Sequence, residues 1–425
     1  MEELFFWDDR PAYPCACFFR LAFRGELKRL ELEEALAQTL SRYPFFTSKV
    51  EFDGAGRPRW CVPDHPQFVI CWHEELGDQE LPSAGRIDLS AEYGIRFFAS
   101  SGGGQSCLII QFHHACSDGL GITRFFRDLL ATYRERCGTI LSTPEERVTK
   151  LGAQKSSRWW LPSRVLGVLW RAFLLARRSP LPLCAGNPAH PESPLPEEYP
   201  SAVWQSLDPQ ETACLVRAAA RQKVTLNTLL LRDLLLALAD WRGPTSQRGW
   251  IRILVPVLSE KARVSSSPIP DPVSMIFLDV HTEEINSPHL LHKIQRDLLA
   301  KRQSGEDDLL QKAIGLERRR GKLAKHVRAN KCLFTTIFSN LGKVQLDSHR
   351  LAQGGGVGSD DLRLESAQGI HVIRRHCPAN FAALIVKGSL SLTMSFDSRI
   401  LSRTDAERLL QGLLGTVRDS VKLGV

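Results

Sequence analysis

The stretch Gln111-Phe112-His113-His114-Ala115-Cys116-Ser117-Asp118-Gly119 decides the fold, because a buried strand ends in it and a helix begins in it. Residues 107–112 form an apolar run that is typical of a strand. After the stretch, apolar residues recur from Ile122 to Tyr133 at spacings of three and four, which predicts one face of a helix. The two histidines and the Asp-Gly pair are therefore predicted to lie on a short strand-to-helix connection.

The residue types in this connection suit proton transfer. Adjacent side chains of a strand point to opposite faces, so only one of His113 and His114 can face a given cavity. A neutral histidine can take a proton from an attacking alcohol or amine near physiological pH. Asp118 can hold the loop by pairing with a cation or with backbone N–H groups, and Gly119 lets a ligand pass close to the main chain.

Other interpretations of the same residues stay open on the sequence alone. A His-His pair at a strand end also occurs as a purely structural pair, and Cys116 could act as a nucleophile. Zinc binding by His113, His114 and Cys116 is a further alternative. Adjacent strand residues diverge and no fourth ligand has usable spacing, so we expect no metal site.

Outside this stretch, strands and helices alternate in both halves of the chain. A strand over Cys15–Phe23 and a helix up to Leu40 open the first half, and a hairpin joins Ile95–Ala99 to Cys107–Phe112. The helices and strands predicted for the second half are Asn227–Trp241, Ile251–Val257, Ser274–Val280, Cys332–Phe338, Phe381–Lys387, Ser389–Phe396 and Thr404–Val417. We therefore predict a mixed α/β (α+β) fold with an N-terminal lobe over residues 1–150 and a C-terminal lobe over residues 201–425.

The segment over residues 151–200 is rich in proline and is predicted to link the two lobes. Within it, Lys155–Arg178 carries six basic residues, no acidic residue and three tryptophans. This basic amphipathic stretch suits either peripheral contact with an anionic membrane surface or a packed helix between the lobes. A glycine-rich run, Gly354–Gly358, suits either phosphate binding through backbone N–H groups or a simple connecting loop.

Composition limits the class of protein. The 425 residues are 43% hydrophobic and 24% charged, which is ordinary for a soluble globular chain. The net charge of +8 favours anionic partners, such as phosphate-bearing cofactors, acidic proteins or lipid headgroups, and we expect no nucleic acid among them. The 11 cysteines show no paired spacing, and the N-terminus does not resemble a signal peptide, so we expect reduced thiols and a cytoplasmic location.

Several of these segments together resemble a known family. His113-His114-x-x-x-Asp118-Gly119 is similar to the HHxxxDG signature of the chloramphenicol acetyltransferase-like superfamily, which includes condensation domains, wax ester synthases, plant BAHD acyltransferases and polyketide-associated acyltransferases. Ser41–Phe46 resembles the family's "RHPxLR" segment, Ile253–Val257 its "VPV" strand, and Ser339-Asn340-Leu341-Gly342 its "SNLG" turn. The resemblance covers nearly the whole chain and is closest to free-standing condensation-domain or wax ester synthase-type enzymes.

The resemblance implies a fold, an activity and roles for residues. Two α/β lobes would form a V with a tunnel between them. His114 would be the general base, His113 its structural neighbour, Asp118 a carboxylate that holds the loop, and Gly119 the residue that keeps the tunnel open. The acyl donor would be acyl-CoA or a phosphopantetheine-linked acyl-carrier protein acting as co-substrate, and no cofactor would be bound permanently. The acceptor would be a hydroxyl or amine on a small molecule or lipid.

The "SNLG" segment adds two candidate site residues. Ser339 and Asn340 could donate hydrogen bonds to the oxyanion that develops during acyl transfer, although turn chemistry explains the same residues equally well.

Departures from the family pattern favour a second hypothesis. Tyr43 and Thr47 replace the usual histidine and second arginine of the early segment, and Leu258-Ser259-Glu260 lacks an arginine often found there. No "DFGWG" segment is present near the C-terminus, which argues against a BAHD enzyme. The alternative to an acyltransferase is a catalytically silent condensation-like protein that binds a carrier protein or a lipid.

Overall fold

The computed structural model describes residues 2–54, 56–64, 66–74, 77, 80–138, 177–184, 194–196, 199–243, 248–258, 273–304, 314–328, 331–344 and 362–422. These residues form two lobes, each built on its own mixed β-sheet with helices packed against it. The mixed α/β fold with two lobes, predicted from the sequence, is confirmed.

The N-terminal lobe contains the strand and the helix that flank the motif. Its five-stranded sheet has the order β11-β1-β6-β5-β4, and a small hairpin of β2 and β3 lies beside it. Its strands are β1 (Ala16–Arg24), β2 (Lys49–Phe52), β3 (Pro58–Cys61), β4 (Ile70–His73), β5 (Ile95–Gly102), β6 (Gln105–His113) and β11 (Arg363–Ile370). Its helices are α1 (Glu2–Asp8), α2 (Arg29–Leu40) and α3 (Gly119–Arg136). Positive φ angles at Gly103 (61°) and Gly104 (75°) allow the tight reversal between β5 and β6.

The C-terminal lobe has a six-stranded sheet of order β7-β13-β12-β10-β8-β9. Its strands are β7 (Ser201–Leu207), β8 (Trp250–Leu258), β9 (Val273–His281), β10 (Thr336–Lys343), β12 (Ala379–Val386) and β13 (Ser389–Phe396). Its helices are α4 (Pro209–Arg221), α5 (Leu226–Arg242), α6 (Leu290–Gln303), α7 (Leu323–Val327) and α8 (Arg403–Lys422). Helix α4 begins with a complete capping box, in which the Asp208 carboxylate accepts from the Glu211 N–H and the Glu211 side chain accepts from the Asp208 N–H.

One strand crosses from the second half of the chain into the N-terminal lobe. Strand β11 pairs antiparallel with β1, with Leu21 opposite Ala367, although residues 363–370 lie within the range predicted for the C-terminal lobe. The sequence pattern could not predict that β11 joins the N-terminal sheet. Local periodicity does not depend on pairing between strands more than 300 positions apart. The predicted linker over residues 151–200 lies mostly outside the described residues.

A second difference concerns β10, which was predicted over Cys332–Phe338 but runs over Thr336–Lys343. Its last part contains Ser339-Asn340-Leu341-Gly342, so this segment belongs to a strand and is not a free turn. The strand is irregular there: Asn340 lies opposite Ala383 and Gly342 opposite Leu384, which leaves Leu341 as an extra, bulged residue.

Candidate active site

The connection between β6 and α3 is held by Asp118. This residue is the N-cap of α3, and its carboxylate accepts hydrogen bonds from the backbone N–H groups of Leu120 (3.0 Å) and Gly121 (2.7 Å). These N–H groups have no partner within the helix itself, so the buried carboxylate both satisfies them and fixes where the helix begins. The four residues before Asp118 therefore form a short loop of defined shape.

His113 points into the interior of the N-terminal lobe. Its side chain is fully buried, and Nδ1 accepts a hydrogen bond from the backbone N–H of Ala115 at 3.1 Å. The proton must therefore be on Nε2, which lies 3.7 Å from Oδ1 of Asp9. The Asp9 carboxylate also accepts from the Cys15 N–H at 2.8 Å and pairs with Arg86 at 2.6 Å. Burial alone would raise the pKa of the Asp9 carboxyl. The interactions of Asp9 with His113, the Cys15 N–H and Arg86 outweigh burial, so the pKa of Asp9 is lowered.

His114 points the opposite way, toward a cavity between the lobes. Its Nδ1 lies 3.0 Å from the carbonyl oxygen of Ser117, and because a carbonyl can only accept, Nδ1 carries the proton. Nε2 therefore carries the lone pair. Within the described part of the chain Nε2 has no hydrogen-bond partner. This atom keeps some exposed surface, and that surface opens to the cavity.

The surroundings of His114 keep its imidazole neutral. Burial lowers its pKa from the usual 6.5 to about 3, and the nearby His371 and the positive charge of Arg374 act in the same direction. The hydrogen bond to the Ser117 carbonyl opposes this shift but is outweighed by it. The side chain is thus a neutral proton acceptor at physiological pH, with its accepting nitrogen toward open space.

The cavity that His114 faces has a volume of about 790 Å³ and is lined by both lobes. From the N-terminal lobe, Phe5, Asp118 and Gly119 contribute to its wall. Residues of β8, β10, α5 and α6 line the other side. The volume lies in the range of about 300–1,000 Å³ that is typical of small-molecule sites.

The bulge in β10 brings the C-terminal lobe against the motif. A Cβ atom added to Gly119 would lie 2.6 Å from Cδ2 of Leu341, so a larger residue at this position would displace the end of the Leu341 side chain. The role of Gly119 given by the resemblance was to keep the tunnel open. In the structure its missing side chain leaves space for Leu341, and both residues line the cavity.

Ser339 and Asn340, the two candidate oxyanion donors, have different environments. The Asn340 side chain donates from Nδ2 to Oδ1 of Asn227 (3.2 Å) and accepts from the Gly342 N–H (2.8 Å), so it mainly holds the bulge and joins β10 to α5. The Ser339 hydroxyl borders the cavity without a partner among the described residues. Of the two, Ser339 is therefore the side chain that can donate to a substrate.

Three residues at the site were not singled out from the sequence. The Phe5 ring stacks on the imidazole of His114, with the ring centroids 3.8 Å apart and an angle of 9° between the planes. His371 and Arg374, which follow β11, also line the cavity. Burial lowers the pKa of His371 to about 4, and its Nε2 is buried without a partner in the described part of the chain. Only the pairing of β11 with β1 brings these two residues to His114.

The alternative roles of neighbouring residues find no geometric support. Cys116 is buried, and a Cβ on Gly94 would lie 2.1 Å from its sulfur, so the thiol is packed against the main chain. Among the described residues, no group of three or more His, Cys, Asp or Glu side chains is arranged to hold a metal ion. Tyr43, a departure from the family pattern, donates its hydroxyl to Asp128 of α3 at 2.8 Å and so has a structural contact of its own.

Three predicted segments lie wholly or mostly outside the described residues. They are the basic stretch 155–178, of which only 177 and 178 are described, the glycine-rich run 354–358, and the positions 259–260. None of the described helices has the length and apolarity needed to span a bilayer.

Comparisons with known proteins support the fold. No protein-family model matches the chain, and no curated protein matches its sequence. Among solved structures, it is similar to TRI3 trichothecene 15-O-acetyltransferase from Fusarium sporotrichioides, with a TM-score of 0.69, 15% identity, and coverage of 99% of this chain and 93% of that one. It is also similar to the first condensation domain of the CDA synthetase, with a TM-score of 0.62, 16% identity, and coverage of 100% and 94%.

A third similar structure is polyketide synthase associated protein 5 from Mycobacterium tuberculosis, with a TM-score of 0.57, 16% identity, and coverage of 97% of this chain and 95% of that one. At such identities these likenesses establish the fold alone. The chain therefore has the two-lobed chloramphenicol acetyltransferase-like fold.

Proposed function

We propose that this protein is an acyltransferase that moves an acyl group from a thioester donor to a hydroxyl or amine acceptor. The observation that carries the proposal is the state of His114: the Ser117 carbonyl fixes the proton on Nδ1, and the basic Nε2 opens to a cavity shared by the two lobes. A neutral, held imidazole in a cavity large enough for a substrate is what general-base catalysis of acyl transfer requires.

The proposed reaction passes one proton through Nε2 of His114. Nε2 accepts the proton of the acceptor's O–H or N–H group while the oxygen or nitrogen attacks the thioester carbonyl carbon. The Ser339 hydroxyl donates a hydrogen bond to the resulting oxyanion. The C–S bond then breaks, and the thiolate leaves and takes the proton from Nε2. The products are an ester or amide and a free thiol, and His114 returns to its neutral state without an acyl-enzyme.

The charge around the cavity supports a phosphate-bearing donor. Arg302 and Arg318 are exposed and belong to the cavity wall, so they suit the phosphate of a phosphopantetheine arm, which acyl-CoA and acyl-carrier protein share. The similarity to a condensation domain adds support for a carrier protein as donor. The acceptor is proposed to be a small molecule or a lipid, and no resident cofactor is needed for this chemistry.

The test compares His114→Gln with the wild-type protein on a panel of acyl-CoA and acyl-carrier donors. Thiol release is followed with Ellman's reagent, and the acylated product is identified by mass spectrometry. We expect His114→Gln to lose at least about 100-fold in turnover, the usual scale of general-base catalysis, while it stays folded. His292→Gln, which changes an exposed histidine on α6, is the matched control and should behave as wild type.

A folded His114→Gln variant with wild-type turnover would contradict the assigned base. Tight binding of a donor without any thiol release by the wild-type protein would instead support the rival hypothesis of a silent condensation-like protein.

A further inference from the structure

Helix α1 places an aromatic ring directly on the imidazole of His114. The Phe5 ring is parallel to it within 9° at a centroid distance of 3.8 Å, and the Phe5 side chain is only 6% exposed. The hydrogen bond from Nδ1 to Ser117 restrains one edge of the imidazole. A flat ring in face contact restrains the imidazole in the direction perpendicular to its plane, because tilting the imidazole would make it collide with the Phe5 ring.

Contacts with both lobes fix the position of α1. In the N-terminal lobe, Asp9 directly after the helix holds the backbone of Cys15 and lies beside His113. On the other side, Oε2 of Glu3 pairs with Nε of Arg318 at 2.5 Å, and the guanidinium of Arg328 lies over the Trp7 ring at 5.6 Å.

A further ion pair joins α1 to the segment that follows β11. Nη2 of Arg374 lies 2.8 Å from Oδ2 of Asp8. The guanidinium of Arg374 also lies 5.8 Å from the centroid of the Phe5 ring. The position of the Phe5 ring is thus fixed by several contacts of α1 and not by the Phe5 rotamer alone.

From this arrangement we infer that Phe5 is a positioning residue for catalysis: its ring fixes the plane of the His114 imidazole and so aims Nε2 at the acceptor. The inference rests on the proposed function. Proton transfer depends steeply on the direction of the lone pair, and a misplacement of about 1 Å can cost about 100-fold in rate.

The experiment replaces Phe5 with leucine, which keeps an apolar side chain but removes the flat ring. We expect Phe5→Leu to lower kcat by about 10-fold or more with KM within about twofold of wild type. Phe5→Tyr restores a flat ring and should recover most of the lost kcat. Phe52→Leu is the matched control, because Phe52 packs against Phe6 and Trp7 of the same helix without touching His114, and it should leave kcat unchanged.

A second measurement does not depend on turnover. In protein labelled at histidine, the ring current of Phe5 should shift the His114 proton resonances upfield, with the assignment taken from their loss in His114→Gln. This shift should disappear in Phe5→Leu and return in Phe5→Tyr. Absence of the shift in the wild-type protein would overturn the inference, whatever the activity.

The outcomes separate the inference from the proposed function. If Phe5→Leu is folded and keeps wild-type kcat while His114→Gln is inactive, the inference is wrong and the proposed function stands. Equal losses of kcat in Phe5→Leu and Phe5→Tyr would also overturn it, because the flat ring would then not be the cause. Wild-type turnover in a folded His114→Gln variant would instead contradict the proposed function itself.

Discussion

At His114, the carbonyl of Ser117 decides which ring nitrogen can act as a base. Backbone geometry makes this choice, because Asp118 caps α3 and thereby fixes the direction of the preceding carbonyl. His113 has the opposite tautomer, since its Nδ1 accepts a hydrogen bond and its Nε2 faces Asp9. Two adjacent histidines thus adopt different tautomers through different neighbours, and only His114 directs a free lone pair toward the cavity.

The low pKa of His114 predicts an unusual pH dependence of the rate. Because burial lowers this pKa from 6.5 to about 3, the imidazole stays neutral as the pH falls through 6.5, where an ordinary histidine would be protonated and lost as a base. We expect kcat/KM with a non-ionising alcohol acceptor to stay level between pH 8 and about pH 5. The measurement is initial rates across this range in one buffer series.

The folding state must be monitored alongside these rates. Burial also lowers the pKa of His371 to about 4, so between about pH 4 and 6.5 these two histidines bind more protons in the unfolded chain than in the folded one. Their contribution to the free energy of unfolding therefore falls as the pH is lowered, and circular dichroism should confirm that the protein is folded at each pH. A rate that halves near pH 6.5 in fully folded protein would contradict the predicted environment of His114.

At the level of elements, the motif was predictable and its partners were not. The apolar patterns before and after His113–Gly119 each belong to one short, continuous segment of sequence. Strand β6 and helix α3 could therefore be predicted from local sequence. The positions of Phe5, His371 and Arg374 depend on how α1 and β11 pack on β1 and β6. Local patterns do not reflect such long-range contacts, which explains why the sequence pointed to His114 but not to the side chains around it.

The bulge in β10 shows the same limit and leads to a prediction about Gly119. The "SNLG" segment suggested a turn, but the neighbouring strand β12 pairs with it and leaves Leu341 pointing toward the lobe interface. Gly119→Ala should push the Leu341 side chain away, since the new Cβ would lie 2.6 Å from Cδ2, and we expect lower turnover together with a lower melting temperature.

The double variant tests whether that contact is the cause. Leu341→Ala removes the opposing atoms, so Gly119→Ala combined with Leu341→Ala should cost less than the sum of the two single changes in a double-mutant cycle. Thermal melts and steady-state rates of the four proteins supply the data. Strict additivity would show that Gly119 matters for a reason other than its contact with Leu341.

For the whole molecule, the exchanged strand makes the two lobes dependent on each other. Strand β11 completes the sheet of the N-terminal lobe, while β10, β12 and β13 on either side of it in sequence belong to the sheet of the C-terminal lobe. The cavity and His114 lie where the two lobes meet, so the geometry of the site depends on both sheets being formed. A chain joined in this way is expected to unfold as one cooperative unit.

Replacement of Leu364 tests this coupling. Leu364 lies on β11, is completely buried and belongs to the core of the N-terminal lobe, so Leu364→Ala should destabilise the protein by about 2–5 kcal/mol. If the lobes are coupled, calorimetry should show one transition that moves to lower temperature as a whole, for the wild type and the variant alike. As a control, Val216→Ala changes a side chain on α4 that is 45% exposed and should leave the melting temperature nearly unchanged. Two separate transitions, with only the first shifted by Leu364→Ala, would show that the lobes unfold independently despite the shared strand.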